Sequence, residues 1–131
     1  PQMILIFDVM GVAIKLNGFN QPLLQMLAGY RARGVKVYFA SNMGKSDKKR
    51  VWPSLSVAAD ELFCSGELGF DKPQVDFYRK IEALLGIVPS QIIFFDDSQA
   101  NVDAAKAAGW HAFFYHDVVR TREQIESMLD Q

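Results

Sequence analysis

Five short, mainly apolar segments are spread along the chain, each four to six residues long. Apolar runs of this length are typical of β-strands that are buried on both faces of a sheet. The predicted strands cover residues 3–7, 35–40, 61–64, 91–95 and 111–115.

The stretches between these strands carry apolar residues at helical spacing and are bounded by proline or glycine. Proline fits the first turn of a helix, and glycine fits the position just after the last turn. Thr121 and Gln124, three residues apart, form a potential capping box that predicts the start of the last helix. The predicted helices run from Pro22 to just before Gly34, over 45–51 before Pro53, from Pro73 to Gly86, over 100–108, and from Thr121 onward.

Two segments are predicted to be irregular. Residues 9–20 contain two glycines and two asparagines and are expected to form a loop or a small hairpin flap, and residues 65–69 are expected to form a loop. Strands otherwise alternate with helices, which is typical of a parallel sheet with helices on both faces. We therefore expect one doubly wound, three-layer α/β domain over residues 1–131.

Composition narrows the setting in which this domain works. Half of the 131 residues are hydrophobic, and the formal net charge of −1 gives no reason to expect nucleic acid or an anionic membrane as a partner. Cys64 is the single cysteine, and the first residues lack the basic and apolar regions of a signal peptide. We therefore expect a cytoplasmic protein.

Polar side chains follow three of the predicted strands at the point where each strand ends. Asp8 follows the first strand, Ser41 the second, and Asp96 with Asp97 the fourth, while Lys72 lies at a predicted helix entrance. Because the carboxyl ends of neighbouring parallel strands meet at one crevice, these groups are expected to lie together. Such a set could bind a cation and a phosphate.

Each of these side chains also has an ordinary structural use. Asp8 could be a nucleophile that forms an aspartyl-phosphate, or it could cap a turn. The acidic pair could bind Mg²⁺, with Asn101 reaching back from the next helix, or it could cap that helix. Ser41 could donate to a phosphoryl oxygen or cap a helix, and Lys72 could offset charge during phosphoryl transfer or lie in solvent.

The order of these residues resembles the four motifs of the haloacid dehalogenase superfamily of aspartate-nucleophile hydrolases. The resemblance extends over almost the whole chain. Within the superfamily, residues 65–73 are similar to the branch that includes the amino-terminal phosphatase domain of soluble epoxide hydrolases and sugar-phosphate phosphatases. The four motifs correspond to residues 7–12, Ser41 with Asn42, Lys72 with Pro73, and residues 96–98 with Asn101.

This resemblance implies a magnesium-dependent phosphatase that acts through an aspartyl-phosphate. Asp8 is implied as the nucleophile and a metal ligand, and the backbone carbonyl of Met10 and the carboxylate of Asp97 as further ligands. Asp96 is implied to hold a metal-bound water or Lys72 without contacting the metal itself.

The resemblance also implies a phosphorylated substrate. Ser41 and Asn42 would bind its phosphate, with Lys72 beside Asp8. Only a flap and one helix are predicted between Asp8 and Ser41, and no folded cap fits between Ser41 and Lys72. Without a cap domain, the crevice is expected to be open, which suits a bulky substrate or closure by a neighbouring subunit in a homo-oligomer.

Met10 departs from the family pattern. Most phosphatases of this superfamily have an aspartate at the corresponding position, which protonates the leaving alkoxide and then activates water. Losing a positioned acid and base typically lowers the rate ~10²–10⁴-fold. Two hypotheses therefore stay open: a phosphatase with weakened turnover, and a binding or scaffold module that has kept the site but lost its activity.

Overall fold

The computed structural model describes residues 2–130, which form seven strands and six α-helices. The strands are β1 (Ile4–Phe7), β2 (Ile14–Lys15), β3 (Gly18–Phe19), β4 (Val37–Ser41), β5 (Glu61–Cys64), β6 (Ile92–Asp96) and β7 (His111–Phe114). The helices are α1 (Gln21–Ala32), α2 (Lys45–Leu55), α3 (Ser65–Leu68), α4 (Val75–Leu85), α5 (Gln99–Ala107) and α6 (Val118–Leu129). Within residues 2–130, no helix combines the length and apolarity needed to cross a membrane.

Five strands form one parallel sheet in the order β5-β4-β1-β6-β7. Side chains alternate between the two faces of a strand, so successive residues of β1 enter different cores. Leu5 and Phe7 pack with buried residues of α1, α2 and α6, whereas Ile4 and Ile6 pack with those of α4 and α5. The predicted doubly wound, three-layer α/β fold is therefore confirmed.

The helices of the first half of the chain differ from their predicted bounds in two places. Helix α2 continues through Pro53 to Leu55. Val51 and Leu55 both pack into the core around Leu5 and Phe7, and this burial offsets the loss of the backbone hydrogen bond that proline cannot make. Residues 65–69, predicted as a loop, contain the single turn α3, which ends at Gly69 in a left-handed conformation.

Two boundaries in the second half also differ. Helix α4 begins at Val75 rather than at Pro73. The predicted capping box at Thr121 is wrong, because α6 begins at Val118 and the Asp117 carboxylate caps it by accepting from the backbone N–H of Arg120 at 2.8 Å. Thr121 is instead buried one turn inside the helix.

Residues 9–20 form the predicted flap, with β2 and β3 as its antiparallel strands. Asn20 fixes the end of the flap. Its side-chain amide donates to the carbonyl of Val12 at 3.0 Å and to the hydroxyl of Tyr115 at 2.9 Å, while its side-chain oxygen accepts from the N–H of Leu23 at the start of α1. The flap is thus tied both to the first helix and to the end of β7.

Candidate active site

The carboxyl ends of β4, β1 and β6 lie side by side in the sheet and place the predicted polar residues together. Ser41 is the last residue of β4, Asp8 directly follows β1, and Asp96 is the last residue of β6. The backbone N–H of Asp8 donates to the carbonyl of Phe95 at 2.9 Å, which extends the β1–β6 pairing by one residue. Sheet geometry alone therefore fixes three of these side chains at one edge.

Lys72 lies between these side chains at the carboxyl end of the sheet, although it comes from the loop between α3 and α4. Its ammonium donates to Asp8 Oδ1 at 2.8 Å, to Asp96 Oδ2 at 2.8 Å and to the carbonyl of Ala40 at 2.9 Å. These three bonds use all three donors of a lysine. Lys72 is only 4% exposed, so the ammonium is a fixed charge rather than a solvated one.

Asn42 has a role that the sequence did not predict. Its side-chain oxygen accepts from the backbone N–H of Lys72 at 2.8 Å, and its side-chain nitrogen donates to the Lys72 carbonyl at 2.9 Å. The amide side chain that the resemblance assigned to the phosphate therefore holds the Lys72 backbone. A phosphate contact of Asn42 stays a prediction.

Asp96 is completely buried, and both of its carboxylate oxygens accept hydrogen bonds. Oδ1 accepts from the N–H of Ser98 at 3.0 Å, and Oδ2 accepts from Lys72 and from the side-chain nitrogen of Asn101 at 3.1 Å. Asp96 thus joins Lys72 to the start of α5, and Asn101 does reach back to this centre. Ser98, which belongs to the fourth motif but had no predicted role of its own, also caps α5.

Asp97 lies in a different environment, because its side chain is exposed and packs against the backbone of Gly11. A Cβ atom on Gly11 would lie 2.0 Å from Asp97 Oδ2, and the Gly11 φ of +87° is one that other residues rarely adopt. Only glycine therefore lets the flap and Asp97 approach this closely. Gly11 could be recognised in the sequence as one of the two glycines of residues 9–20, but its contact with Asp97 could not.

All eight predicted site residues line one small depression of about 190 Å³, and Ser98 completes its wall. Larger depressions lie elsewhere on the surface, between α1 and α6 for example. The eight are Asp8, Met10, Ser41, Asn42, Lys72, Asp96, Asp97 and Asn101. We call this depression the crevice.

The crevice contains more acidic than basic side chains. Burial raises the pKa of the Asp8 carboxyl to about 7, the Lys72 ammonium acts against this shift, and the Asp96 carboxylate adds to it. Three carboxylates with one lysine leave an excess of negative charge, which a cation would offset. A cation beside Asp8 would favour its ionised form.

The carboxylates fit a divalent cation. One oxygen each from Asp8, Asp96 and Asp97 can be chosen so that all lie within 4.8 Å of one another. Mg²⁺ prefers oxygen ligands and is usually held by one or two carboxylates together with phosphate and water. Because both oxygens of Asp96 already accept hydrogen bonds, Asp8 and Asp97 are the better placed of the three to contact the ion.

Comparisons with known proteins give the family of this chain. A model of the haloacid dehalogenase-like hydrolase family matches residues 6–109. The rat bifunctional epoxide hydrolase 2 is 24% identical over 134 residues, and the enolase-phosphatase E1 of Yersinia pestis is 37% identical over 94 residues. These matches cover 98% and 66% of this chain, but the chain spans only 24% and 39% of the length of those two relatives.

Solved structures share the fold. An uncharacterized protein from Corynebacterium glutamicum superimposes with a TM-score of 0.82 at 24% identity, covering 99% of this chain and 96% of its own. A HAD family enzyme from Bacteroides thetaiotaomicron, solved as a mutant with magnesium and inorganic phosphate, has a TM-score of 0.78 at 16% identity, covering 88% and 95% of the two chains.

Proposed function

The chain belongs to the haloacid dehalogenase-like hydrolase family, and from this premise we propose that it is a magnesium-dependent phosphohydrolase whose nucleophile is Asp8. The observation that carries the proposal is the contact between the Asp8 carboxylate and the buried Lys72 ammonium, next to the oxygens of Asp96 and Asp97. This set offers a nucleophile, a fixed positive charge and a cation site within one crevice.

The proposed reaction begins when a carboxylate oxygen of Asp8 attacks the phosphorus atom. The bond from phosphorus to the leaving oxygen breaks, and the leaving group departs with the electron pair. Lys72 offsets the negative charge that develops beside Asp8, and the Ser41 hydroxyl donates to a phosphoryl oxygen. Water then attacks the phosphorus of the aspartyl-phosphate, the bond to Asp8 breaks, and phosphate is released.

Positioning residues hold this machinery in place. Asn42 fixes the Lys72 backbone, and Asp96 fixes its ammonium, so the charge cannot move away from Asp8 as the reaction proceeds. Asp8, Asp97 and the backbone carbonyl of Met10 would hold the magnesium ion. When bound, the ion would offset the charge of the phosphate and the surrounding carboxylates.

The named relatives support a phosphatase in particular. One relative is called an enolase-phosphatase, and one structural neighbour was solved with magnesium and inorganic phosphate. The crevice is an open depression with a short hairpin as the segment between β1 and α1. It could therefore accept a bulky phosphorylated substrate, or be covered by a second subunit of a homo-oligomer.

The second candidate function is a binding or scaffold module, and Met10 favours it. Met10 lines the crevice and cannot transfer protons. Such a module would bind Mg²⁺ and phosphate through the same residues without turning substrates over.

Asp8→Asn separates the two candidates. We expect Mg²⁺-dependent release of phosphate from at least one member of a panel of phosphorylated compounds, and its loss in Asp8→Asn and in EDTA. Asp103→Asn is the matched control, because Asp103 is an exposed carboxylate on α5 outside the crevice. Mg²⁺ binding without turnover of any compound would instead support the module.

A further inference from the structure

The crevice contains no side chain that is free to protonate a leaving group among residues 2–130. Its ionisable side chains are Asp8, Lys72, Asp96 and Asp97. Lys72 and Asp96 are occupied by hydrogen bonds within the site, and the other two are the proposed nucleophile and metal ligand.

Histidine does not supply the missing proton either. His111 lies at the first residue of β7, opposite to the crevice edge, and contacts the carbonyl of Ser90 at 3.1 Å. His116 packs against Phe114, with ring centroids 5.1 Å apart. Neither residue lines the crevice.

The need for a proton depends on the leaving group. An alkoxide is a strong base and leaves poorly unless it is protonated. Without an acid, the rate of cleavage of a sugar or alkyl phosphate is therefore lowered ~10²–10⁴-fold. A carboxylate or a phenolate carries its charge by resonance and leaves as a free anion. Acyl and aryl phosphates therefore lose least when the acid is absent.

The flap carries exposed apolar side chains, one of which, Met10, lines the crevice. Met10 pairs with Ile14 through an isolated bridge, and Ile14 pairs with Phe19 across the hairpin, so these three residues lie side by side. Met10 is 56% exposed and Phe19 36%, and Leu16 at the turn is fully exposed. We call Met10, Leu16 and Phe19 the apolar rim. Of these three residues, Met10 lines the crevice, and Leu16 and Phe19 follow it along the same flap.

From these two observations, we propose that the substrate is an acyl or aryl phosphate with an apolar body, and that the apolar rim contacts this body. This inference rests on the proposed function. Asp8 forms a bond to phosphorus, the bond to the carboxylate or phenolate oxygen breaks, and that oxygen keeps the electron pair with no proton added. Phosphate is then released by water, whose proton passes to bulk solvent.

The lack of a free acid or base also slows the second step, the hydrolysis of the aspartyl-phosphate, because no side chain in the crevice among residues 2–130 is free to take the proton from the attacking water. The aspartyl-phosphate on Asp8 should therefore accumulate during turnover. The fraction of enzyme that is phosphorylated on Asp8 can be measured independently of the rate of phosphate release.

The first experiment compares four compounds in the presence of Mg²⁺: benzoyl phosphate, acetyl phosphate, nitrophenyl phosphate and glycerol phosphate. We expect kcat/KM for glycerol phosphate to be at least ~10²-fold below that for benzoyl and nitrophenyl phosphate, and Met10→Asp to raise glycerol phosphate turnover by ~10²-fold. Asp8-dependent turnover that is equal for all four compounds would overturn the inference and keep the proposed function. Absence of any Asp8-dependent turnover would overturn both.

The second experiment measures the phosphoenzyme by intact-protein mass spectrometry after acid quench. Wild type with benzoyl phosphate should carry one phosphoryl group, Met10→Asp should carry less, and Asp8→Asn should carry none. Asp8-dependent turnover of benzoyl phosphate without any detectable adduct in wild type would contradict the slow second step.

The third experiment tests the apolar rim. Leu16→Ser and Phe19→Ser should raise KM for benzoyl phosphate by about tenfold and leave KM for acetyl phosphate almost unchanged, because acetyl phosphate has almost no apolar body to contact. Val119→Ser is the control, since Val119 is an exposed apolar residue on α6 outside the rim. Equal effects on both substrates, or no effect on either, would overturn the assignment of the rim.

Discussion

The Lys72 cluster and the flap meet at the same crevice but are held in opposite ways. In the cluster, Asp8, Lys72 and Asp96 are buried, and each bond of the lysine ends on a fixed acceptor. In the flap, Leu16 is fully exposed and Phe19 is about one third exposed. Polar groups are thus buried in the cluster, and apolar groups are exposed on the flap.

This contrast separates two requirements of the proposed phosphoryl-transfer site. Reacting charges must be held in a fixed, desolvated geometry, because their effect is strong only there. Contacts with the rest of a substrate need only a complementary surface, which an exposed hairpin can provide. The cluster should therefore tolerate few substitutions, whereas the exposed flap positions Leu16 and Phe19 should tolerate many at a small cost in stability.

The largest effect is expected from Lys72→Met. This change leaves the carboxylates of Asp8 and Asp96 buried without their shared partner, and breaking a buried ion pair in this way typically costs about 3–5 kcal/mol. Chemical denaturation in EDTA should show this loss in the free energy of unfolding. Lys49→Met is the control, because Lys49 is an exposed residue of α2, and its effect should stay within about 0.5 kcal/mol.

A double variant shows whether the loss comes from unpaired charge. Asp8→Asn removes one of the two carboxylates, so Lys72→Met combined with Asp8→Asn should be less destabilised than the sum of the single changes. Strict additivity would mean that the lysine stabilises the fold by packing rather than by its charge.

The next largest effect is expected at Gly11, where the flap touches the acidic pair. Gly11→Ala places a Cβ only 2.0 Å from Asp97 Oδ2 and forces a non-glycine residue to a φ of +87°, which costs about 1–3 kcal/mol and moves the carboxylate. Gly34→Ala is a matched control, because Gly34 has a φ of +89° and nothing within 4 Å of its Cβ position.

Both glycine variants should lose stability, but they should differ in their binding of Mg²⁺. Isothermal titration calorimetry should show at least tenfold weaker Mg²⁺ binding for Gly11→Ala and unchanged binding for Gly34→Ala. If both variants bind Mg²⁺ as the wild type does, Asp97 is not a ligand of the ion.

Much of the fold could be predicted because the strands are short apolar runs separated by helices that proline and glycine delimit. The errors share a physical cause, since tertiary contacts outweighed local signals. Burial of Leu55 carried α2 past a proline, and the Asp117 carboxylate capped α6 before Thr121 could. Neither competition can be read from local sequence.

That the predicted polar side chains lie together could also be predicted, because strand ends in a parallel sheet converge at one crevice. The partners of those residues could not. Asn42 was expected at the phosphate but holds the Lys72 backbone, and the Ala40 carbonyl that accepts from the ammonium has no side-chain signal. Gly11 matters because of Asp97, which lies far along the chain.

The smallest effect is expected where the flap is anchored, at Asn20. Asn20→Ala removes a helix cap and two hydrogen bonds, and Tyr115→Phe removes only one of those bonds. We expect losses of about 1–2 kcal/mol for Asn20→Ala and about 0.5–1.5 kcal/mol for Tyr115→Phe. Hydrogen exchange should show faster exchange at the flap amide of Ala13, which donates to the Val9 carbonyl, in both variants.

The amide of Asp8, which donates to the Phe95 carbonyl, serves as the reference because it reports on the cluster. Its exchange should change only as much as the global free energy of unfolding does, since the Lys72 bonds do not involve the flap. Mg²⁺ binding should likewise be retained in both variants. If anchoring the flap were needed to hold the cluster, Asp8 would lose protection together with Ala13, and the two sides of the crevice would form one cooperative unit.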